Sequence, residues 1–435
     1  MKISLIGQDI PSLLPSLLAD LLFSARQPAD IAIEERNEAM ADLLRRYTET
    51  CLDKAGLGGG VLVTRDRREA LSGADCVIYA GDVMPASRFR QDREALSGVE
   101  EGDAGLTDQA RVNAGIGGLM HSLRQGSAVL DVTDVLREAA PGALVITLGQ
   151  PLSTTVRLFE EADFRCYGLG PSPLQGPNGL PALMKLAGLE GREAEAGMAG
   201  LPGFSWLLSL SDRQTGEDLL PAVGQAAESG KLGQLTKRWL KLYGAVPVGT
   251  VTSHAERMPQ QEDYSPDPDP AFGETVERRK ERILWMNRAA ENRLGDAEGQ
   301  MAQMLLLSRA PATRPVQLAL ALLNRSSLRM EGVSRLNRGA LAGLPDSAVI
   351  EARLDTESPQ ALTLPGDLRD LCLEADDASR LAAHAAYGSR SDIREWVETA
   401  PELEGLDRLY LQEAVERMLD MHDDILPRFF GDDND

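Results

Sequence analysis

The sequence predicts an α/β protein: an N-terminal, Rossmann-like doubly wound parallel sheet followed by a C-terminal α+β domain. Three observations predict it. Short, almost wholly apolar segments alternate with amphipathic ones as far as Leu169, the pattern of strands covered by helices on both faces. Turn residues bound these segments, as in Met1-Lys-Ile-Ser-Leu-Ile-Gly7. Beyond Leu169 the pattern turns helix-rich, with only isolated strand-like runs.

Taken in order, residues 2–6 read as a strand and PSLLPSLLADLLFSA (11–25) as an amphipathic helix. DIAIE (30–34) is a second strand, followed by a helix over Asn37–Cys51 and a third strand over Gly60–Thr64. A short helix over Arg67–Gly73 precedes a strand in ADCVIYAG (74–81). A long polar connection then leads to helices near Gly117–Arg124 and Val132–Ala139 and to the strand ALVITLG (143–149). A strand at Arg165–Leu169 closes the first domain. The expected division is 1–171, 172–430 and an acidic tail at 431–435. Within the second domain, SWLLSL (205–210) and DSAVIEARL (346–354) are strand-like, and a long helix runs over Glu274–Ser308. Gln260–Phe272, acidic and proline-rich, reads as a surface loop, and there are no internal repeats.

The bulk numbers exclude several classes of function. A chain of 435 residues with 43% apolar and 26% charged residues is globular and large enough for two cores. A net charge of -22 argues against nucleic-acid binding, and 4% aromatic residues leave few stacking platforms. Cys51, Cys76, Cys166 and Cys372 show no paired or zinc-type spacing, which suits a reducing cytoplasm. No signal-peptide pattern or membrane-length apolar run is present, so neither membrane nor export is expected.

The opening strand carries a contradiction. Gly7 ends it as in a dinucleotide-binding unit, but Gln8, Asp9, Ile10 and Pro11 follow where a second glycine would let the backbone approach a pyrophosphate. Asp9 puts negative charge there instead. Glu35, after the second strand, stands where such folds bond the adenosine ribose, or else is the solvated start of a helix. Gln150 lies at a strand's carboxyl end, where ligands of such sheets bind. Gly7, Glu35 and Gln150 are thus the cofactor-side candidates.

From end to end the chain resembles glycoside hydrolase family 4. MKISLIG with SLLADLL, TRDRREALSGADCVIYAG (64–81) and Gly115-Ile-Gly117-Gly118 followed by LMHSLR are similar to the family's N-terminal half. KLYGAVPVGTVTSHAERMP (241–259), Asn337-Arg-Gly339, LPDSAVIEA (344–352) and His422–Phe429 are similar to its C-terminal half. The resemblance implies NAD and a divalent metal, commonly manganese, in a redox-assisted elimination at a glycosidic bond. It also places Arg88, Arg90 and Asp92 in a substrate-facing loop, where they either hold an anionic or hydroxylated ligand or are a solvated charge run, with Gly115, Gly117 and Gly118 on the same cleft as a tight turn.

The residues this chemistry requires are missing. Where the family has Gly-Leu-Cys-His-Ser, this chain reads Gly168-Leu169-Gly170-Pro171-Ser172. The family's Asn-His pair falls on Pro202-Gly203, its third histidine on Ser253, and its tyrosine base on Arg257. Glycine and proline side chains coordinate nothing, and arginine stays charged. An acid and threonine are replaced by Val112-Asn113, and the family's Asn-Pro by Gln150-Pro151. No metal ligand is therefore assigned. His121, His254 and Glu256 remain as weak catalytic candidates, with His384 and His422 read as structural.

The reading is a diverged relative, without the family's NAD- and manganese-dependent glycosidase activity, keeping a cleft for a sugar, a nucleotide or a protein partner. It is expected in the cytoplasm as a homo-oligomer, dimer or tetramer. One alternative is an active glycosidase with a rearranged site, which would use NAD and manganese. The other is a structural subunit paired with an active paralogue.

Overall fold

The computed structural model describes residues 1–81, 85–97, 109–170, 173–174, 178–258, 275–291, 314–358, 361–400 and 403–430. The surface loop expected over 260–272, the second half of the long helix, Pro171, Ser172 and the acidic tail lie outside these residues.

The parallel half of the sheet is made by β1 (Lys2–Ile6), β2 (Asp30–Glu34), β3 (Val61–Thr64), β4 (Cys76–Tyr79), β5 (Leu144–Thr147) and β6 (Cys166–Leu169). Their order is β3-β2-β1-β4-β5-β6, every pair parallel. The order reverses between β1 and β4, the switch point outside which such sheets bind ligands. The sheet does not stop at β6. Leu169 pairs with Val333 and Gly168 with Ser334 of an antiparallel strand, and the ladder continues to eleven strands among the described residues.

The antiparallel half comprises β7 (Ala194–Leu201), β8 (Phe204–Asp212), β9 (Val246–Val248), β10 (Arg329–Leu336) and β12 (Val349–Asp355), while β11 (Leu341–Ala342) pairs apart with β13 (Leu362–Thr363). Strands β7 and β10 have no clear signal in sequence. Glycines and charges break their apolar alternation, as in AEAGMAGL and RMEGVSRL. Their neighbours in the sheet supply the order instead.

Helices cover both faces. Helix α1 (Ile10–Ala19) widens into a π-turn at Asp20–Ala25. There the buried Asp20 carboxylate accepts the Val316 and Gln317 amides at 2.8 and 3.1 Å. Helix α2 (Glu38–Ala55) is capped by Asn37, whose side chain accepts the Met40 amide at 3.0 Å. Asn37→Ala should lower the unfolding free energy by about 1 kcal/mol, measured by urea denaturation. Helix α3 (Arg67–Leu71) is short.

Two sequence expectations are corrected in the next stretch. The polar connection contains a helix, α4 (Pro85–Ser97), in which only one narrow stripe including Phe89, Ala95 and Leu96 is apolar and buried. The two helices expected over 117–139 are one, α5 (Gly115–Ala139). Its interior Gly126 is not a break: a side chain there would collide with Ala386, so the glycine lets another helix pack close.

The remaining helices are α6 (Leu152–Glu161), α7 (Leu180–Leu186), α8 (Leu220–Glu228), α9 (Gln234–Tyr243), α10 (Val251–Arg257), α11 (Val276–Ala290), α12 (Pro315–Asn324), α13 (Gly366–Tyr387), α14 (Arg390–Thr399) and α15 (Arg408–Met421). One core lies between the sheet and α5, α6 and α13–α15, and a second fills the opposite face under α1, α2 and α12. No helix among the described residues is long and apolar enough to cross a membrane.

Candidate functional site

At the switch point, Gly7 takes φ 124°, and a Cβ there would collide with the Ala80 carbonyl at the end of β4. The two strand ends touch at the place where a dinucleotide fold opens a phosphate loop. The turn that follows is closed on itself. The Asp9 amide donates to Ala80 O at 3.0 Å and Ile10 to Gly7 O at 3.2 Å. Ser12 and Leu13 both donate to Asp9 O, at 2.9 and 3.0 Å, and Pro11 has no N–H. Each amide from Asp9 to Leu13 is therefore committed or missing. Glu35 turns inward on its own chain, accepting the Asn37 amide at 2.7 Å.

The positions that the resemblance assigns to the metal are carried by three separate pieces of chain. The tight turn between β7 and β8 carries Gly203, and α10 brings Ser253 and Arg257 to it. A Cβ on Gly203 would lie 3.5 Å from Arg257 Nη1 and 3.8 Å from Ser253 Cβ. These three positions, separated in sequence, do converge. Their side chains are a hydrogen atom, a hydroxyl and a guanidinium, which has no lone pair to give a metal. At the end of β6, a Cβ on Gly170 would meet Leu152 at 2.7 Å and Gln150 Nε2 at 2.8 Å, so the space of a ligand side chain is filled. Among the described residues, no group of three His, Cys, Asp or Glu could hold a metal ion.

Next to Arg257 lies a carboxyl that sequence reasoning missed. Glu351, buried on β12, accepts the Ser205 hydroxyl at 2.6 Å. Burial pushes it up to about 7, against the lowering effect of the Ser205 and Gly203 hydrogen bonds and of Arg257. An acidic residue inside the apolar run AVIEA was the available signal.

The candidate bases are tied into structure. His254 is buried against Phe204 and Trp206, ring centroids 5.0 and 5.1 Å away. Its nitrogens lie 2.9 Å from Thr250 O and Ser205 O, a pairing for an imidazolium, while burial pulls the ring toward the neutral form, to about 4. In either form it links α10 to β8. Glu256 accepts the Asn113 amide at 2.9 Å and its side-chain Nδ2 at 2.7 Å, fixing the segment before α5. His121 is buried, 3.4 Å from Val112 O, and burial and Arg124 lower it to about 4.

Arg88 and Asp92 do not line the cavity beside Gly115 and Gly118. Both sit buried on α4: Asp92 pairs with Arg124 of α5 at 2.9 and 3.0 Å and with His422 at 2.6 Å. Arg88 reaches Asp424 at 2.9 Å. Burial would raise Asp92, but Arg124 and His422 together hold it below the usual carboxylate range. Arg90 is exposed and donates to Ala86 O of its own helix. This cluster clamps α4 and the C-terminal segment to α5.

Gly115, Gly117 and Gly118 form the first turn of α5, where a Cβ on Gly117 would strike the backbone of Arg111. Gly115 and Gly118 line a cavity of about 200 Å³, together with Asn113, Ser122, Pro151, Ser153 and Arg257. Helices α13 and α14 close its other side through Leu371, Ala378 and Trp396. Gln150 is next to this wall, not in it.

Comparison with known proteins agrees with this architecture. The Family 4 glycosyl hydrolase profile matches residues 3–165, and the Family 4 glycosyl hydrolase C-terminal domain profile matches residues 198–401. An alpha-glucosidase of Erwinia rhapontici is 29% identical over 225 residues, half of this chain and 47% of that protein. The phospho-alpha-glucosidase PagL of Clostridium acetobutylicum is 27% identical over 38% of this chain and 35% of its own length. The aligned part thus spans half or less of these relatives. A 6-phospho-alpha-glucosidase from gut microorganisms, solved with NAD and Mn2+, superposes with a TM-score of 0.68 at 17% identity, covering 98% of this chain and 99% of that one. With both family profiles matched across most of its length and the fold shared end to end, the chain belongs to glycosyl hydrolase family 4.

Proposed function

We propose that this chain is a family 4 protein that has lost the NAD- and metal-dependent glycosidase reaction and keeps a cavity for a small hydroxylated ligand, a sugar or a nucleotide. One observation carries the reading: Gly203, Ser253 and Arg257 converge, and at their meeting point stands a fixed positive charge in place of metal donors. A guanidinium there repels a divalent cation. The filled space beside Gly170 and the committed amides of Asp9–Leu13 support the same reading for metal and dinucleotide respectively. On this reading neither NAD nor manganese is a cofactor. The protein acts in the cytoplasm as a homo-oligomer.

The test is calorimetric titration of the full chain with NAD+ and with Mn2+, alone and together, alongside turnover of aryl glycosides and their 6-phosphates. No saturable binding of either cofactor below millimolar concentration and no turnover are expected. Micromolar binding of both, or turnover that depends on them, would overturn the proposal and restore the active-glycosidase alternative.

A further inference from the structure

Helix α9 presents an outward face made of cations. Its exposed positions are Gln234, Lys237, Arg238, Lys241 and Leu242, which at about 3.6 residues per turn form one contiguous stripe. The helix contains no acidic residue, in a chain of 67 acidic and 45 basic residues. Lys237 and Lys241 stand four apart, where like charges repel and weaken a helix. None of the three cations forms an ion pair with a described residue. Leu242, 52% exposed, closes one edge of the stripe.

A complementary face lies beside it. Trp239 and Tyr243 of α9 pack into one core with Leu368, Leu371 and Cys372 of α13, so the two helices are neighbours. Helix α13 exposes Asp367 and Glu374, seven residues apart on one stripe. Neither forms an ion pair with a described residue, whereas Asp370 and Asp377 are held by Arg369 and Arg380 of their own helix. Both unpaired acids and Arg238 act on the Tyr243 phenol. Burial and then Glu374 push it above its usual value, Arg238 opposes the rise and Asp367 adds to it. Charges of both signs therefore border Tyr243 without closing on one another in the single chain.

At a net charge of -22, two copies of this chain repel over most of their surface, and a purely cationic face is where an acidic copy is attracted. A two-fold axis makes two neighbouring faces of opposite charge self-complementary, because each meets its opposite on the other copy. We infer that a second copy of the chain docks here about a two-fold axis, with Lys237, Arg238 and Lys241 facing the partner's Asp367 and the partner's Glu374 and Leu242 as the apolar contact beside them. Glu374 also lines the cavity of the candidate site, so the docked copy stands next to that cavity. The inference rests on the homo-oligomer proposed above and names the faces that meet.

The experiment is sedimentation equilibrium of the full chain and of two charge-reversed variants, with thermal melting to verify that each folds. One variant carries Lys237→Glu and Lys241→Glu, the other Asp367→Lys and Glu374→Lys. The parent should dimerise with a dissociation constant that rises with salt. In each variant alone that constant should rise at least about a hundredfold, about tenfold per reversed charge. An equimolar mixture of the two variants should restore dimers. The acidic α9 of one copy then faces the basic α13 of the other, and the two remaining faces keep their native charges. If a double variant fails to fold, Lys241→Glu and Glu374→Lys, alone and mixed, decide. Reversals that leave the oligomer intact, or a mixture that stays monomeric, overturn the inference while the homo-oligomer stands. A parent that is monomeric at every concentration overturns both.

Discussion

Asp92→Ala is expected to lower the unfolding free energy by about 3–5 kcal/mol. Arg124 is 3% exposed in its side chain and Asp92 1%, so the pair is out of water. Removing the carboxylate leaves the guanidinium buried, with the His422 ring as its remaining close neighbour at 3.0 Å. A charge stripped of its partner in a low-dielectric interior keeps its desolvation penalty and loses the attraction that offset it. Arg124→Met alone should be less damaging, because Asp92 keeps the His422 contact at 2.6 Å. The double variant Asp92→Ala, Arg124→Met should recover much of the loss, since no buried charge of that pair remains. Urea denaturation of the four proteins gives the cycle. A loss below about 1 kcal/mol for Asp92→Ala, the size of an exposed pair, would show that the clamp is open to water.

The second large effect is a pH dependence centred on Glu351. Its folded-state pKa is raised from 4.5 to about 7, so between these values the folded protein holds a proton that the unfolded chain has released. Stability then falls as pH rises through this window. The contribution is absent below about pH 4.5 and complete above about pH 7, where it amounts to about 3 kcal/mol of destabilisation. Glu351→Gln keeps an oxygen to accept the Ser205 hydroxyl but cannot ionise. The variant should match the parent at pH 4 and exceed its stability by about 3 kcal/mol at pH 8. Chemical denaturation at the two pH values measures this. A gap that does not widen with pH would place the Glu351 titration outside the window. Asp20, raised by burial to about 6, acts in the same direction and is common to both proteins, so it drops out of the difference.

The parts of the fold legible in the sequence share one property: a local pattern that burial on both faces enforces. DIAIE is the observed β2 residue for residue, and β1, β3, β4 and β5 fall inside the predicted segments. Helix α4 was not legible because its few buried apolar positions lie among arginines, a glutamine and acids. The continuity of α5 is not legible in sequence: Gly126 inside it is a poor helix former, and the value of that glycine lies in its contact with Ala386 of α13. Strands β7 and β10 were invisible for a related reason, since their order comes from neighbours in the sheet.

The candidate site divides the same way. The proposed losses at Gly170, Gly203 and Arg257 are readable from residue identity, because a side chain without a lone pair cannot become a ligand in any fold, whereas Ser253 keeps a hydroxyl in place of an imidazole. The buried pairing of Arg88 and Asp92 is not legible in sequence because their partners lie far away along the chain: Arg124 at 32 residues from Asp92, His422 at 330, and Asp424 at 336 from Arg88. Glu351 gains its interest only from burial. By itself, then, the sequence determined the α/β class, the strand segments of the parallel half and the family, all of which follow from local composition and pattern. Tertiary structure decided the continuous eleven-stranded sheet, the clamp around Asp92, and the meeting of two helix N-termini with Arg257. The reason is that burial and charge pairing depend on distances across the fold, which no local spacing encodes.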